Sequence, residues 1–169
     1  EFPSVSRSLA VLQTPTVGGL VLVYFLTIFA MASFESTLAL FTKAAFAMGD
    51  DANFLVFAAI GFVLMLTGGL YRPLAKKLPE RQLLATGTTL MLVGLAAVGV
   101  VAWAVMGRGV VADPGSPWRG AFYVAASLAV AGFAFVNPSV SALISRRADA
   151  DRQGEVLGVN QSFASLARI

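Results

Sequence analysis

The sequence holds a small set of reactive side chains inside long apolar stretches. Our candidates for chemistry are Tyr24, Met31, Glu35, Asn137, Gln161, Ser165 and Arg168. Glu35 is the one acid within its apolar run, and an ionisable group there is costly unless it serves a function or reaches water. On a helix, Tyr24, Met31 and Glu35 share one face, where the carboxylate can bind a cationic amphiphile or exchange a proton. A solvated carboxylate at the end of the run is the alternative interpretation.

The last apolar run has a polar face. Gly154, Gly158, Gln161, Ser165 and Arg168 recur at helical spacings of four and three residues. Arg168 lies roughly 21 Å along such a helix from Gly154, which is too deep for a loop residue. The face either lines a water-accessible path, or it packs against another helix with Arg168 in a structural ion pair.

A second stripe of small residues lies in the preceding run. Its members, spaced by three or four residues, are Ser127, Ala131, Ala134, Pro138, Ser141 and Ser145. Small residues allow close helix packing, but the same stripe can line a path. Pro138 removes a backbone donor and crowds the turn before it. We expect a bend at Asn137-Pro138, which is either a structural kink with Asn137 bonding the freed groups or a gate.

Composition excludes most enzyme chemistry. Of 169 residues, 57% are hydrophobic and 12% are charged, against roughly 25% charged in soluble domains. A soluble domain of this size cannot bury so much apolar surface, so the bilayer is the expected environment. The lack of cysteine and histidine excludes thiol chemistry, Cys or His metal sites and Ser-His-Asp triads. We predict no enzyme activity, cofactor, metal or nucleic-acid partner, since the net charge of +3 forms no continuous basic face.

Five apolar runs define the predicted architecture. A bilayer-spanning helix needs about 20 mostly apolar residues, and the runs cover residues 17–41, 53–71, 83–106, 121–144 and 154–169. We predict an all-α, polytopic helical membrane protein with four complete transmembrane helices and the start of a fifth. Residues 1–16 form a loop before the first helix. Because the sequence begins without Met and ends inside a run, we expect a fragment of a larger protein.

Basic residues are unequally divided between the two sides of this bundle. Eight lie on one side, namely Arg7, Arg72, Lys76, Lys77, Arg81, Arg146, Arg147 and Arg152, and three on the other, namely Lys43, Arg108 and Arg119. Because basic loops stay in the cytoplasm, we expect the chain start and the 72–82 loop to be cytoplasmic and the 107–120 loop to lie outside. The outer loop is flanked by an expected interfacial aromatic belt of Trp103, Trp118, Phe122 and Tyr123.

Three stretches carry a family resemblance. They are SFESTLALF at 33–41, GGLYRPLAKKLPER at 68–81, and NPSVSAL at 137–143 followed by GEVLGVNQS at 154–162 and SLAR at 165–168. They resemble, in order, the end of the seventh helix, the short basic loop between helices eight and nine, and helix ten running into helix eleven of major facilitator superfamily transporters. The first is most similar to the tetracycline and multidrug efflux group. Lys76 replaces the Asp, and Pro79 the second Gly, of the family's G-x-L-A-D-R-x-G-R-R loop.

The resemblance implies a fragment of a major-facilitator-type helix bundle from the second half of the protein. It implies a secondary transporter of the cell membrane that works by alternating access between two six-helix bundles. The expected activity is proton-coupled efflux of drug-like or amphiphilic compounds, as in multidrug resistance antiporters. The expected partners are the small-molecule substrate, protons, the lipid bilayer and the missing N-terminal half. Arg72, Lys76, Lys77 and Arg81 would form its cytoplasmic basic loop.

Two alternatives stay open. One is a major facilitator importer of a metabolite or sugar, and the other is a non-transporting membrane subunit or channel. An intramembrane enzyme would need paired acids or histidines within the spans, whereas Glu35 is the single acid available there.

Overall fold

Nearly all of the described chain consists of apolar, helix-forming segments. The computed structural model describes residues 15–107, 113, 115–148 and 153–169. Within these ranges it contains five helices and no strand: α1 (Pro15–Phe46), α2 (Asp50–Ala75), α3 (Glu80–Met106), α4 (Pro117–Arg147) and α5 (Gln153–Leu166). The predicted all-α fold class, a helical membrane bundle, is confirmed. Residues 1–14 of the predicted loop at 1–16, and the side assignments of Arg7, Arg108 and Arg152, lie outside the described residues. The last two residues of that predicted loop instead begin α1.

The four long helices match the thickness of a bilayer. Each of α1 to α4 is long and apolar enough to cross a membrane. The described part of α5 has 14 residues and extends about 21 Å, short of the roughly 30 Å hydrocarbon core. Large apolar side chains cover much of the surface, above all on α2, where Phe54, Leu55 and Met65 are exposed. An apolar outer surface of this kind suits lipid as the surrounding solvent.

The helix α4 lies at the centre of the bundle and packs against each of the other four. Its closest neighbour is α3, and glycines on both helices allow the approach. A β-carbon on Gly87 would lie 2.8 Å from the carbonyl oxygen of Gly132, and one on Gly132 would lie 2.9 Å from the Cα of Met91. Backbone-to-backbone contact of this kind is typical of helix association in membranes.

The predicted small-residue stripe is therefore not the main packing face of α4. The residues that meet α3 are Ala125, Ala129 and Gly132, on a face rotated away from that stripe. In the stripe, Ser127 and Ser141 are only half-buried. The helix also continues through Pro138 without a break.

One end of the bundle is tied together by an arginine and a group of aromatic rings. Arg119 of α4 donates from Nη2 to the carbonyl oxygen of Phe46 at 2.5 Å, and its guanidinium lies 5.9 Å from the centroid of the Phe46 ring. The rings of Phe46 and Phe122 lie 5.6 Å apart. Phe122 is 0% exposed, so its predicted place in a surface aromatic belt is wrong. Trp103 is 79% exposed, as that belt requires.

The opposite end carries six of the other described basic residues, whereas Lys43 lies at the Arg119 end and Arg168 follows α5. Arg146, at the end of α4, forms a 2.6 Å ion pair with Glu80, the first residue of α3. Gln153, at the start of α5, donates from Nε2 to the carbonyl oxygen of Ser145 at 2.9 Å. The α2–α3 turn lies at this end as well, and it brings Arg72, Lys76, Lys77 and Arg81 there.

We predict that Gly94→Ala destabilises the protein. The new β-carbon would lie 2.7 Å from the Cα of Ala129 and 2.8 Å from the carbonyl oxygen of Ala125, and neither backbone atom can give way unless α4 shifts. Overpacking of this kind costs roughly 1–3 kcal/mol. The measurement is the free energy of unfolding of the full-length protein, by SDS titration in mixed micelles.

The matched control is Gly99→Ala on the same helix, where a β-carbon meets nothing within 4 Å. Its free energy of unfolding should stay within about 0.5 kcal/mol of the wild-type value. Equal losses in the two variants would contradict the assignment of Gly94 to the helix contact.

Candidate functional site

A cavity of about 620 Å³ lies between α1, α2, α4 and the residues that follow α5. Its volume is within the range of small-molecule sites, roughly 300–1,000 Å³. Most of the lining is apolar, including Ile28, Met31, Leu64 and Phe133. The polar part of the lining consists of two charged side chains, Glu35 and Arg168, and the hydroxyl-bearing Ser36. The combination of an apolar wall with few polar groups is typical of a site for an organic ligand.

The face that α1 presents to the cavity follows from helical geometry. Ile28, Met31, Ala32, Glu35 and Ser36 all line it, at positions that repeat every three or four residues. This is the periodicity of one helix face. The predicted pairing of Met31 with Glu35 on that face is therefore present in the structure.

Glu35 lies deeper along α1 than the sequence indicated. The predicted span ends at Phe41, but α1 continues to Phe46, which leaves Glu35 about 16 Å from the end of the helix. The end of α1 is packed in the protein, because Thr42 and Phe46 are buried. Glu35 itself is exposed to the cavity.

Arg168 supplies the opposite charge of the cavity. It follows α5 by two residues, and its backbone N–H donates to the carbonyl oxygen of Ser165 at 3.2 Å. Arg168 and Glu35 form no ion pair with each other, although both line the cavity. Each charge is thus available to a ligand or to water between them, and a low-dielectric wall strengthens the field that they produce.

Tyr24 does not line this cavity but binds a second candidate residue. Its hydroxyl donates to Oδ1 of Asn137 at 2.7 Å, and the Tyr24 side chain is only 5% exposed. The bond joins α1 to α4 next to Pro138. The expected role of Asn137 was to bond the backbone groups that Pro138 frees. Its side chain instead reaches across to α1.

The remaining candidates lie apart from the cavity. Gln161 and Ser165 are exposed on α5, and the hydroxyl of Ser165 donates to the carbonyl oxygen of Gln161 at 3.0 Å. In the basic loop, Arg72, Lys76 and Lys77 are exposed and line no described cavity. Arg81 belongs to a different groove, between α1, α3 and α4.

Sequence reasoning missed three polar residues in the helices. The hydroxyl of Thr42 on α1 donates to Oδ1 of Asn53 on α2, and both residues are buried. Asn160 on α5 is 3% exposed, and its Oδ1 has no hydrogen-bond partner. The signals for Asn160 were a polar residue inside an apolar run and its place in the stretch at 154–162 that carries the family resemblance. The described residues hold no cluster of three or more acidic side chains that could bind a metal ion.

Long apolar helices around a partly charged cavity define a helical integral membrane protein. The family model of the Major Facilitator Superfamily matches residues 2–169, almost the full length. The chain therefore belongs to the major facilitator superfamily, a family of membrane transporters and not of enzymes. Comparisons with curated proteins and with solved structures give no match.

We predict that the hydrogen bond between Tyr24 and Asn137 couples α1 to α4. In a double-mutant cycle with Tyr24→Phe and Asn137→Ala, the coupling energy should be roughly 0.6 kcal/mol, the average for hydrogen bonds between membrane helices, and no more than about 1.7 kcal/mol. Unfolding of the full-length protein in mixed micelles provides the four free energies. Tyr123→Phe, an exposed tyrosine on α4, is the control, and it should show no coupling to Asn137→Ala. Strict additivity of the first pair would contradict the prediction.

Proposed function

We propose that this chain forms part of the C-terminal half of a secondary transporter that exports small amphiphilic molecules in exchange for protons. The observation that carries the proposal is the cavity in which Glu35 and Arg168 share a mostly apolar lining. Membership of the major facilitator superfamily supports transport as the activity. The expulsion of amphiphiles needs both an apolar surface and a group whose charge changes during the cycle, and this cavity supplies both.

The transport cycle proposed here is alternating access. An N-terminal bundle of six helices would complete the cavity, and the two halves would rock about it to expose it to each side in turn. In this arrangement α1 and α4 contribute cavity walls, whereas α3 stays on the outside, packed against α4. The cavity lining agrees with this division, because it includes residues of α1, α2 and α4 and none of α3.

Glu35 is the proposed exchange site. When it is ionised, its carboxylate attracts a cationic amphiphile, and the ring of Phe133 and the thioether of Met31 in the same cavity suit its apolar part. Protonation removes the charge and releases the cation. Arg168, which lines the same cavity, would repel a cation from it while Glu35 carries the proton. Exchange of one proton for one cation follows from this competition.

We also propose that the protein belongs to the efflux group and that it lies in the cell membrane with a defined orientation. The stretch at 33–41, which contains Glu35, is similar to the seventh helix of tetracycline and multidrug exporters. Six described basic residues lie at one end of the bundle, namely Arg72, Lys76, Lys77, Arg81, Arg146 and Arg147, while Lys43 and Arg119 lie at the other. By the positive-inside rule, the first end would face the cytoplasm of a cell membrane.

We predict that Glu35→Gln abolishes substrate-induced proton release by the full-length protein in proteoliposomes. The amide keeps the shape of the side chain but cannot exchange a proton. Arg168→Ala should lower substrate exchange and the coupled proton release together, each by roughly tenfold, the equivalent of about 1.4 kcal/mol. A pH-sensitive dye and a fluorescent cationic substrate report the two fluxes.

Asp51→Asn is the matched control, because it makes the same change at an exposed acid in the first turn of α2, outside the cavity. Its fluxes should equal those of the wild type. Normal proton coupling in Glu35→Gln would overturn the proposed exchange site. Net uptake of a metabolite or sugar down a proton gradient would favour an importer, and passive ion flux would favour a channel.

A further inference from the structure

A groove of about 390 Å³ lies between α1, α3 and α4, near the end of the bundle that carries most of the basic residues. It shares no lining residue with the cavity around Glu35. Its walls combine two arginines, Arg81 and Arg147, with threonine hydroxyls and leucines. The groove is therefore separate from the cavity of the proposed transport cycle.

The polarity of the groove changes along α3. Arg81, Leu84 and Thr88 lie on one helix face, because they are separated by three and four residues. The backbone at Thr88 is about 10 Å further along α3 than at Arg81. The guanidinium thus lies towards the end of the bundle, and the groove continues from it along the membrane-spanning part of the helix. Leu20 of α1 and Leu143 of α4 form the opposite walls.

The charge at the head of the groove favours an anion. Arg147 at the end of α4 and Arg81 at the start of α3 both line it. The neighbouring acid, Glu80, is engaged by Arg146 at 2.6 Å, so its charge is already matched. Arg147 also has a partner within the protein, but a guanidinium carries five N–H donors and can bind a second acceptor. The nearby α2–α3 turn adds Arg72, Lys76 and Lys77 to the positive field, and Glu155 near the start of α5 is the other described acid at this end.

We propose that this groove binds an anionic phospholipid, with its phosphate between Arg81 and Arg147 and an acyl chain along the leucine-lined wall. Arginine is suited to the head group, because its planar guanidinium donates two parallel hydrogen bonds to phosphate oxygens. The acyl chain would cover the apolar wall of the groove, which a free phosphate ion would leave uncovered. Basic pockets between membrane helices bind anionic head groups in this way.

The experiment compares two spin-labelled lipids on the full-length protein in phosphatidylcholine bilayers. Electron paramagnetic resonance measures the association of labelled phosphatidylglycerol relative to labelled phosphatidylcholine. The wild type should prefer phosphatidylglycerol, and the double variant R81Q/R147Q should lose roughly tenfold or more of that preference. R81K/R147K, which keeps both charges, should restore part of it.

Two further variants separate the groove from general surface charge. K76Q/K77Q removes two charges from the same end but outside the groove, and it should keep most of the preference. Ala85→Trp fills the groove and leaves both arginines in place, so it should lower binding of the labelled phosphatidylglycerol. Excess inorganic phosphate should not displace the lipid.

Several results would overturn the proposal. One is a wild type without preference for phosphatidylglycerol, as would follow if another protein segment filled the groove. The others are a full preference in R81Q/R147Q, or a loss of preference in K76Q/K77Q equal to that in R81Q/R147Q. Displacement by inorganic phosphate together with no effect of Ala85→Trp would identify a free phosphate ion instead. If R81Q/R147Q does not fold, the wild-type preference and Ala85→Trp decide the matter.

Discussion

Backbone contact between α3 and α4 is the interaction on which the rest of the bundle depends. Apolar helices in lipid gain little from covering one another, so close van der Waals contact has to hold them together. Gly94 and Gly132 make that contact possible. Once α4 is held in this way, it directs Phe133 into the cavity, Asn137 towards α1 and Arg147 to the groove.

The cost of charge in an apolar medium explains where the ionised side chains lie. Glu35 and Arg168 are the acidic and the basic side chain of the cavity. Arg81 and Arg147 meet at the groove with the same sign. A pair of opposite charges suits exchange at a site whose occupant changes, while two like charges suit the binding of a single anionic partner. The cost of placing charge in an apolar medium thus accounts for both the cavity with opposite charges and the groove with like charges.

The helices could be predicted because apolar length and helical periodicity are local properties. The run at 83–106 corresponds closely to α3, which spans Glu80–Met106. The end of α1 was missed by five residues, because Thr42 and Lys43 lower the local hydropathy without ending the helix. Thr42 bonds Asn53 of α2, and Phe46 packs on the ring of Phe122. Contacts with distant segments therefore extended α1 past the apolar run.

The sequence by itself determined the number and order of the helices, the sides on which the described basic residues lie, and the presence of Glu35 and Arg168 in an apolar setting. Only the tertiary structure decided that these two residues face the same cavity, that Tyr24 leaves that face to bind Asn137, and that α4 packs on a face other than its small-residue stripe. The reason is that packing against distant helices sets the rotation of each helix about its axis. A local pattern records which residues share a face but not what that face will meet.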